Sequence, residues 1–366
     1  MVRICFFNTT RFWGGGEKWH LEAASYLASR GHRVQFVVHP GGELHKRLTG
    51  TPMDTVPMAV SNPSFLNPLK LHKLVTLFRS EKTQTIVFNG SADVKMGALS
   101  AKMAGVPAII YRRGLPVPVK NSALNRFLYG RMITHFLVNS EATAQELFRH
   151  LVVPQASART RTIYNGIDLS RFHAPYLKAI HNTENKTIVI GTAGRLEAEK
   201  GHSHLFAIAY RLKSNHLNFK LLIAGEGSQR PNLQKQIQSL GLTDTVQLLG
   251  FIANIEDFMR RLDIFVLPSK WEGFGYASAE AMATGLPVVA FDVSSNREVI
   301  AHNTTGFLVP PENIENFAEK IMQLAKDTEL RARMGLAGQL RVREMFDHTK
   351  QLRKLESFLC EEVLNR

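Results

Sequence analysis

The chain has 366 residues, 44% of them hydrophobic and 21% charged, and its 45 Lys and Arg against 31 Asp and Glu give a formal net charge of +14. This composition excludes disordered and fibrous proteins, and no apolar run approaches the roughly 18–20 residues of a membrane-spanning helix, so we expect a globular protein of two domains. The cysteines, Cys5 and Cys360, are too few and too far apart in sequence for a disulfide framework or a metal site, which favours a reducing, cytoplasmic compartment.

Short apolar runs alternate with helical stretches along the first half of the chain. Strands are predicted over Val2–Asn8, Val34–His39, Thr85–Asn89, Ala108–Tyr111 and His135–Asn139. A glycine loop, Gly14–Gly16, separates the first strand from a helix predicted over Glu17–Arg30. This alternation predicts a parallel sheet with helices on both faces.

The alternation restarts after a polar junction, His181–Lys186. Further strands are predicted over Thr187–Thr192, Phe219–Ala224, Val246–Leu249, Ile264–Leu267 and Val288–Phe291. Helices are predicted over Lys200–Asn215, Pro231–Leu240 and, at the end of the chain, about Thr349–Asn365. We therefore predict an α/β protein with two Rossmann-like, doubly wound domains, residues 1–172 and 173–348, and a C-terminal helix, residues 349–366, that packs back on the first. Ligands of such sheets bind at the carboxyl ends of the strands, which predicts a cleft between two sets of loops.

The positive charge is concentrated in the first domain. Residues 1–172 hold 22 Lys and Arg against 9 Asp and Glu, whereas residues 173–366 hold 23 against 22. The asymmetry indicates an anionic partner such as nucleic acid, a membrane surface or a phosphorylated substrate, although a merely basic surface is the alternative. Two basic amphipathic stretches, Pro68–Lys82 and Asn121–Ile133, could lie on an anionic membrane or simply pack on the sheet.

The strongest motif places two glutamates, Glu272 and Glu280, on either side of a glycine loop and a helix start. Gly273 and Gly275 let backbone N–H groups approach a ligand, and the following helix offers its N-terminal N–H groups to an anion. A carboxylate inside that helix can accept hydrogen bonds from sugar or ribose hydroxyls. Two solvated glutamates are the alternative, but Glu280 precedes an apolar segment, where an unpaired carboxylate would be costly.

Further motifs follow other strands of the second domain. Arg195 and Lys200 share one loop, a sensible clamp for a diphosphate, although both could be solvated surface cations. Gly225 lies in a second glycine-rich turn, and Phe251 and Ile252 could line a pocket for a flat base.

Together these residues resemble the retaining glycosyltransferases of family 4, which have the two-domain GT-B fold. The family's E-x7-E motif matches Glu272 to Glu280, and its G-R-L-x-x-x-K-G motif matches Gly194 to Gly201. Its E-A-M-A-x-G-x-P-V-V-A run matches Glu280 to Ala290, and N-G-I-D matches Asn165 to Asp168. The resemblance covers almost the whole chain and is sharpest over residues 187–310.

The resemblance implies roles for individual residues. Arg195 and Lys200 would bind the donor diphosphate and stabilise the leaving nucleotide, and Glu280 would bind the ribose. Glu272 would contact the transferred sugar or stabilise positive charge near its anomeric carbon. The remaining donor contacts would come from the loop containing Gly15 and Gly16, from Gly225, from Phe251 and Ile252 at the base, and from the backbone of Phe274, Gly275 and Tyr276.

One position departs from the family pattern. Many members carry a His on a first-domain loop near the acceptor, where this chain has Arg112 and Arg113. These arginines could receive an anionic acceptor or form a solvated basic turn. The sequence has no Asp-x-Asp motif, so we expect chemistry without a metal. His202 and His204 stand two apart on a predicted helix, which disfavours a metal site there.

The sequence thus predicts a retaining hexosyl- or related transferase that needs no cofactor and uses a UDP-, GDP- or ADP-sugar. Its acceptor would be an anionic cell-envelope saccharide or lipid-linked glycan such as lipopolysaccharide core, met in the cytoplasm or on the inner face of the membrane, with no nucleic-acid partner. An NAD enzyme is disfavoured because Trp19 replaces the last glycine of G-x-G-x-x-G. A sugar-nucleotide epimerase or phosphorylase, and a non-enzymatic basic protein that binds nucleic acid or membrane, remain alternatives.

Overall fold

The computed structural model describes residues 1–172 and 187–362. The predicted junction, His181–Lys186, and the last three residues of the predicted C-terminal helix, 363–365, lie outside these ranges. The chain divides into two compact units, Met1–Tyr164 with Lys350–Arg366, and Asn165–Thr349. The first stretch of the first unit ends at Tyr164, whereas the sequence predicts a domain boundary at residue 172. That boundary stays a prediction.

The first unit contains a seven-stranded parallel sheet in the order β3-β2-β1-β4-β5-β6-β7. Its strands are Arg3–Asn8 (β1), Arg33–Val38 (β2), Asp54–Pro57 (β3), Thr85–Phe88 (β4), Ala108–Arg113 (β5), His135–Val138 (β6) and Thr160–Thr162 (β7). Its helices are Gly15–Ser29 (α1), Glu43–Leu48 (α2), Pro68–Ser80 (α3), Ser91–Ala104 (α4), Ala123–Phe127 (α5) and Glu141–Phe148 (α6).

Alternating side chains of β1 enter two different cores. Ile4 and Phe6 pack with α1 on one face of the sheet, whereas Cys5 and Phe7 pack with α3 and α4 on the other. Both faces are therefore covered, as the strand–helix alternation predicted. Cys5 is a fully buried free cysteine that acts as a small hydrophobic residue.

The second unit contains a six-stranded parallel sheet in the order β10-β9-β8-β11-β12-β13. Its strands are Ile188–Ala193 (β8), Phe219–Ala224 (β9), Val246–Gly250 (β10), Ile264–Leu267 (β11), Val288–Phe291 (β12) and Gly306–Val309 (β13). Its helices are His204–Ser214 (α7), Arg230–Ser239 (α8), Ile255–Arg260 (α9), Tyr276–Thr284 (α10), Asn296–Val299 (α11), Ile314–Lys326 (α12) and Thr328–Met345 (α13). A final helix, His348–Ser357 (α14), leads into the C-terminal segment.

The C-terminal segment from Lys350 belongs to the first unit. Leu352, Leu355 and Phe358 are buried in the core that contains α1 and β2. The carboxylate of Glu356 also accepts a hydrogen bond from Tyr26 Oη at 2.9 Å. Among the described residues, no helix combines the length and apolar character needed to cross a membrane.

Three strands were missed by the sequence analysis, and all three are at sheet edges. β3 and β7 close the first sheet and β13 closes the second. β3 includes a proline and two exposed residues, β7 has no fully buried residue, and β13 begins with a glycine. β3 and β7 therefore lack the continuous apolar run that marks a buried parallel strand, and the glycine of β13 leaves it only three apolar residues, so the pattern of each is weak.

Candidate active site

The loop after β8 is held against two neighbouring strand ends. Leu196 is fully buried, and its backbone N–H donates to Glu226 O at 2.8 Å in the loop after β9. At Gly201 the backbone is left-handed, with φ +63°, and a Cβ there would lie 2.1 Å from Pro268 O. Glycine therefore lets the loop approach the end of β11. Helix α7 begins at His204, later than predicted, because this turn ends the helical geometry after Lys200.

Lys200 and Glu272 form an ion pair across this approach. Lys200 Nζ lies 2.6 Å from Glu272 Oε1, and Ser269 Oγ donates to the same oxygen at 2.7 Å. The Glu272 side chain is 8% exposed and that of Lys200 is 21% exposed. Ser295 Oγ also donates to the backbone carbonyl of Glu272 at 3.2 Å. The structure thus joins residues that are 72 positions apart into one charged cluster at the carboxyl ends of β8 and β11.

Arg195 is more exposed than Lys200. Its guanidinium donates to Glu199 Oε1 at 2.8 Å, while 69% of the Arg195 side chain is open to solvent. The backbone of Glu199 accepts from Lys270 N at 2.8 Å, which ties this loop to the one carrying Glu272. Arg195 is therefore a solvent-accessible cation beside the more buried Lys200–Glu272 pair.

Helix α10 begins directly after the glycine loop. The N-cap residue Gly275 has φ +85° and, as a glycine, no side chain to cap the helix. The first backbone N–H groups of α10 therefore point back toward the glycine loop that precedes the helix. Phe274 is buried, and its ring centre lies 5.4 Å from those of Tyr276 and Phe346 in edge-on contacts. These contacts hold the glycine loop in place. Glu280 lies in the second turn of α10 and is half-buried. A helix N-terminus beside fixed cations is suited to binding an anion.

Two buried polar atoms behind this helix start were missed by the sequence analysis. Asn296 donates to Phe291 O at 2.9 Å, but its fully buried Oδ1 has no hydrogen-bond partner within the described residues. That oxygen lies 3.4 Å from the place where a Cβ of Gly275 would stand. Ser278 Oγ in α10 is buried and likewise has no partner within residues 1–172 and 187–362. The sequence signal that could have found them is their position: Asn296 follows strand β12, and Ser278 lies in the first turn of α10.

The loops after β8 and β9 touch through glycine. Gly225 has φ +144°, and a Cβ on it would lie 1.8 Å from Gly194 O. The carboxylate of Glu197 accepts from Ser228 N at 3.0 Å and from Ser228 Oγ at 2.6 Å. These contacts fix the shape of the loop that carries Arg195.

Phe251 and Ile252 follow β10 at the same edge of the sheet. Phe251 is 78% exposed, and Ile252 is half-buried. An exposed aromatic ring at the carboxyl edge is available to contact a flat ligand.

His202 is a buried neighbour of Lys200. Burial, and then the positive charge of Lys200, lower its pKa to about 4, so the ring is neutral at pH 7. His204 begins α7, and burial lowers its pKa as well. In the part of the chain that the structure describes, no group of three or more His, Cys, Asp or Glu side chains is arranged to hold a metal ion.

In the first unit, the predicted glycine loop is shorter than expected, because α1 begins at Gly15 rather than at Glu17, so Gly15 and Gly16 lie in its first turn, after β1. A Cβ on Gly16 would lie 2.6 Å from Asn89 Nδ2, whereas Gly15 has open space around its Cα. Glu17 is buried, and its Oε1 accepts from Asn8 Nδ2 at 3.2 Å and from Asn89 Nδ2 at 3.0 Å. The buried Glu17 was not expected from the sequence and fixes the start of α1.

Arg112 and Arg113 have different environments although they are adjacent. Arg112 is 4% exposed, its guanidinium carbon is 4.6 Å from the centre of the Trp19 ring, and its Nη1 is 3.5 Å from Asn89 Oδ1. Arg113 instead donates to Leu115 O at 3.1 Å, to Val117 O at 2.8 Å and to a tyrosine hydroxyl. Arg113 therefore shapes the loop after β5. The role of both arginines toward an acceptor stays a prediction.

Buried titratable side chains in the elements that follow β1 and β4 were also missed by the sequence analysis. Burial raises the pKa of Asp93 to about 6, although hydrogen bonds from Thr9 oppose the rise, and nearby Glu17 adds to it. Burial, and then the charge of Arg112, lower the pKa of His20 well below its usual value. The carboxyl edge of the first sheet thus holds two buried carboxylates and one buried guanidinium.

Comparison with known protein families shows to which family this chain belongs. The family described as Glycosyltransferase Family 4 matches residues 13–171, and the family described as Glycosyl transferases group 1 matches residues 175–341. The two matches together span most of the chain. The chain belongs to the family 4 glycosyltransferases.

Relatives and solved structures agree with this assignment. This glycosyltransferase is 28% identical over 347 residues to the capsular polysaccharide biosynthesis glycosyltransferase CapM of Staphylococcus aureus, covering 91% of this chain and 90% of CapM. It is 25% identical over 333 residues to the UDP-Gal:alpha-D-GlcNAc-diphosphoundecaprenol alpha-1,3-galactosyltransferase of Escherichia coli, covering 85% and 84% of the two chains. The structure of Anabaena Alr3699/HepE with UDP matches with a TM-score of 0.83 at 22% identity, over 98% of this chain and 99% of HepE.

These findings confirm the predicted fold class, α/β with two Rossmann-like domains of the GT-B type, and the prediction of a glycosyltransferase. HepE has also been solved with UDP-glucose, matching with a TM-score of 0.79 at 23% identity over the same shares of the two chains. The individual site residues predicted from the sequence stay predictions, although the structure brings Lys200 and Glu272 together and sets Arg195 beside them.

Proposed function

We propose that this glycosyltransferase moves a sugar, with retention and without a metal ion, from a nucleotide-sugar donor to an anionic cell-envelope acceptor. The observation that carries the donor half of the proposal is the Lys200–Glu272 pair at 2.6 Å, next to the glycine loop that opens α10. Cations, a helix N-terminus and a buried carboxylate converge there on one edge of the sheet, which is the edge where parallel sheets bind ligands.

The chemistry follows from where charge develops. As the bond between the anomeric carbon and the diphosphate breaks, negative charge grows on the phosphate oxygens and positive charge on the sugar ring. Lys200, Arg195 and the N–H groups at the start of α10 would stabilise the departing diphosphate. Glu272 would face the sugar, where its carboxylate can accept hydroxyl hydrogen bonds or stabilise the positive ring. Glu280 would bind the ribose, and Phe251 and Ile252 would contact the base.

The donor base is proposed from a structural neighbour. Because HepE was solved with UDP and with UDP-glucose, a UDP-sugar is the first donor to test, followed by GDP- and ADP-sugars. In the first unit, Gly15 and Gly16 would cover the diphosphate, since the backbone around Gly15 is open enough for close approach.

The acceptor half rests on charge and on the relatives. The first 172 residues carry a large excess of Lys and Arg, and Arg112 stands at the carboxyl edge of the first sheet. One relative is named for a diphosphoundecaprenol-linked acceptor and another for capsular polysaccharide. We therefore propose an acceptor that carries phosphate or acidic sugar, such as a lipid-linked glycan or lipopolysaccharide core, used at the cytoplasmic face of the membrane.

A thermal-shift panel with UDP, GDP and ADP and their sugars tests the donor half. Ligand that binds only the folded protein raises its melting temperature, so one base should give a clear rise at millimolar concentration and the others little. Product analysis with the selected donor then tests the reaction. A new glycoside with the donor's anomeric configuration supports the proposal, whereas an inverted glycoside, an isomerised nucleotide sugar, a sugar phosphate or no binding of any nucleotide would contradict it.

A further inference from the structure

The carboxylate of Glu272 is held through one of its two oxygens. Oε1 accepts from Lys200 Nζ at 2.6 Å and from Ser269 Oγ at 2.7 Å. Oε2 accepts no hydrogen bond from any residue that the structure describes, and it is not fully buried. Oε2 is therefore the oxygen of this carboxylate that a ligand can reach.

The two donors to Oε1 differ in how firmly they are fixed. Ser269 is fully buried shortly after β11, and one torsion sets the position of its hydroxyl oxygen. Lys200 carries its ammonium group on a flexible four-carbon chain, and its side chain is 21% exposed. Lys200 can therefore move away from Oε1 while the surrounding backbone stays in place, whereas Ser269 cannot.

The backbone of Glu272 is fixed separately from its carboxylate. The buried hydroxyl of Ser295 donates to Glu272 O at 3.2 Å, directly before α11. The other end of α11 is fixed by Arg341 of α13, which donates to Glu298 O at 2.7 Å and to Val299 O at 2.8 Å. Losing the Ser269 hydroxyl would therefore release the carboxylate without releasing the loop that carries it.

Binding of a nucleotide sugar changes the contacts that Oε1 can keep. Under the proposed function Lys200 binds the donor diphosphate, so its ammonium group is drawn away from Glu272. Within residues 1–172 and 187–362, Ser269 is then the one side chain that still donates to this carboxylate. The last torsion of a glutamate side chain is broad, so a carboxylate without that bond samples many orientations.

We propose that Ser269 is a positioning residue for sugar transfer: its hydroxyl holds Oε1 of Glu272 so that Oε2 faces the sugar of the bound donor. The inference rests on the proposed function, because it requires Lys200 to bind the diphosphate and Glu272 to face the sugar. A hydrogen bond to an ionised carboxylate is strong and directional, which suits this task. Misplacing a reacting group by about 1 Å can cost about a hundredfold in rate, so the orientation of Oε2 matters.

Calorimetric titration with a nucleoside diphosphate and with its glucose conjugate separates the roles of Ser269 and Lys200. The probes are UDP, GDP and ADP with UDP-glucose, GDP-glucose and ADP-glucose, and the pair that raises the melting temperature most is used. Ser269→Ala should weaken binding of the nucleotide sugar about fivefold, because only that ligand reaches Oε2. It should change binding of the diphosphate alone by less than about twofold.

Slow transfer of glucose to water provides a kinetic measurement that needs no acceptor. Water oxygen bonds to the anomeric carbon, the bond from that carbon to the diphosphate oxygen breaks, and the diphosphate leaves with the electron pair while solvent takes one proton. Ser269→Ala should lower kcat about tenfold, while KM rises no more than the dissociation constant does. The larger effect on kcat is expected because the attraction of Oε2 grows as the sugar ring becomes positive.

Other serines provide matched controls. Ser100 in α4 is also fully buried, and its hydroxyl donates to Met96 O at 2.9 Å, so Ser100→Ala should leave both affinities and kcat within about twofold of the wild type. Ser295→Ala removes a buried hydroxyl from the backbone of Glu272 and should weaken both ligands alike, by less than about threefold. Ser269→Cys, with a weaker donor of similar size, should fall between the wild type and Ser269→Ala. Circular dichroism and melting temperature confirm that each variant is folded.

Three results would overturn the inference: wild-type affinity of Ser269→Ala for both ligands, equal weakening of both ligands, or losses no larger than those of Ser295→Ala. Each of them leaves the proposed function intact, since the wild type still binds and transfers glucose. A wild type that binds none of the six nucleotides would instead contradict the proposed function, and the inference would fall with it.

Discussion

Breaking the Lys200–Glu272 pair should have a larger effect on stability than breaking the neighbouring Arg195–Glu199 pair. The two pairs have similar lengths, 2.6 and 2.8 Å, and the loop after β8 carries Arg195, Glu199 and Lys200, whereas Glu272 lies on the loop after β11. They differ in exposure, since the Glu272 side chain is 8% exposed while that of Arg195 is 69% exposed. Removing one partner of a buried pair costs about 3–5 kcal/mol, but Lys200 keeps some solvent, so we expect a coupling of about 2–3 kcal/mol. The exposed pair should give less than about 1 kcal/mol.

Double-mutant cycles in urea unfolding measure both couplings. The first cycle uses Lys200→Met, Glu272→Gln and the double variant, and the second uses Arg195→Met, Glu199→Gln and their double variant. Equal couplings in the two cycles would refute the reasoning from burial. UDP titration calorimetry adds a functional measurement on the same proteins.

The two members of the buried pair should differ in their effect on UDP binding. Lys200→Met should weaken binding about tenfold or more, because a charge-assisted hydrogen bond to the diphosphate is lost. Glu272→Gln should keep or improve UDP affinity, since it releases the ammonium group, while transfer of the sugar falls. Equal loss of UDP affinity in both variants would contradict the separate roles proposed for them.

Three further predictions follow from single positions. Glu280→Ala should lower kcat/KM for the donor about tenfold to a hundredfold through KM, with an unchanged melting temperature, and normal activity would contradict its proposed role. Burial raises the pKa of Asp93 from its ordinary value of 3.8 to about 6 in the folded protein, so wild-type stability should fall relative to Asp93→Asn by up to about 3 kcal/mol as pH rises from about 4 to about 6. Melting temperatures across that range test this, and a constant difference would refute it. Gly225→Ala, whose Cβ would lie 1.8 Å from Gly194 O, should destabilise the protein by more than about 2 kcal/mol in urea unfolding, whereas Gly130→Ala, with 3.8 Å to its nearest neighbour, should not.

Of the strands that the sequence predicted, all but β10 are interior strands of their sheets. β1, β4 and β12 are continuous apolar runs, and such runs are typical of central parallel strands. The edge strands β3 and β7 are too short and too exposed to give that pattern. The start of α7 was placed too early because the left-handed turn at Gly201 depends on contact with Pro268, a residue far away in the sequence.

In the candidate site, too, features set by neighbouring residues could be predicted from the sequence, whereas features set by contacts between distant residues could not. The glycine loop before α10 and the cations of the loop after β8 are visible as short motifs. The buried oxygen of Asn296 and the hydroxyl of Ser269 acquire their roles only when β11 and β12 lie side by side. Adjacent arginines such as Arg112 and Arg113 likewise cannot be told apart until the loop after β5 is folded around one of them.

The excess positive charge of the first 172 residues serves two different physical purposes. Part of it is structural: Arg159 donates to the backbone carbonyls of Thr134 at 3.0 Å and Tyr129 at 3.2 Å, and burial lowers its pKa. Arg113 is used in the same way within its own loop. Such guanidinium groups keep their positive charge, but they have few N–H groups left to donate to an anion, because backbone carbonyls already accept from them. The cations best placed to bind an anionic partner directly are therefore exposed lysines of this unit such as Lys102 and Lys120.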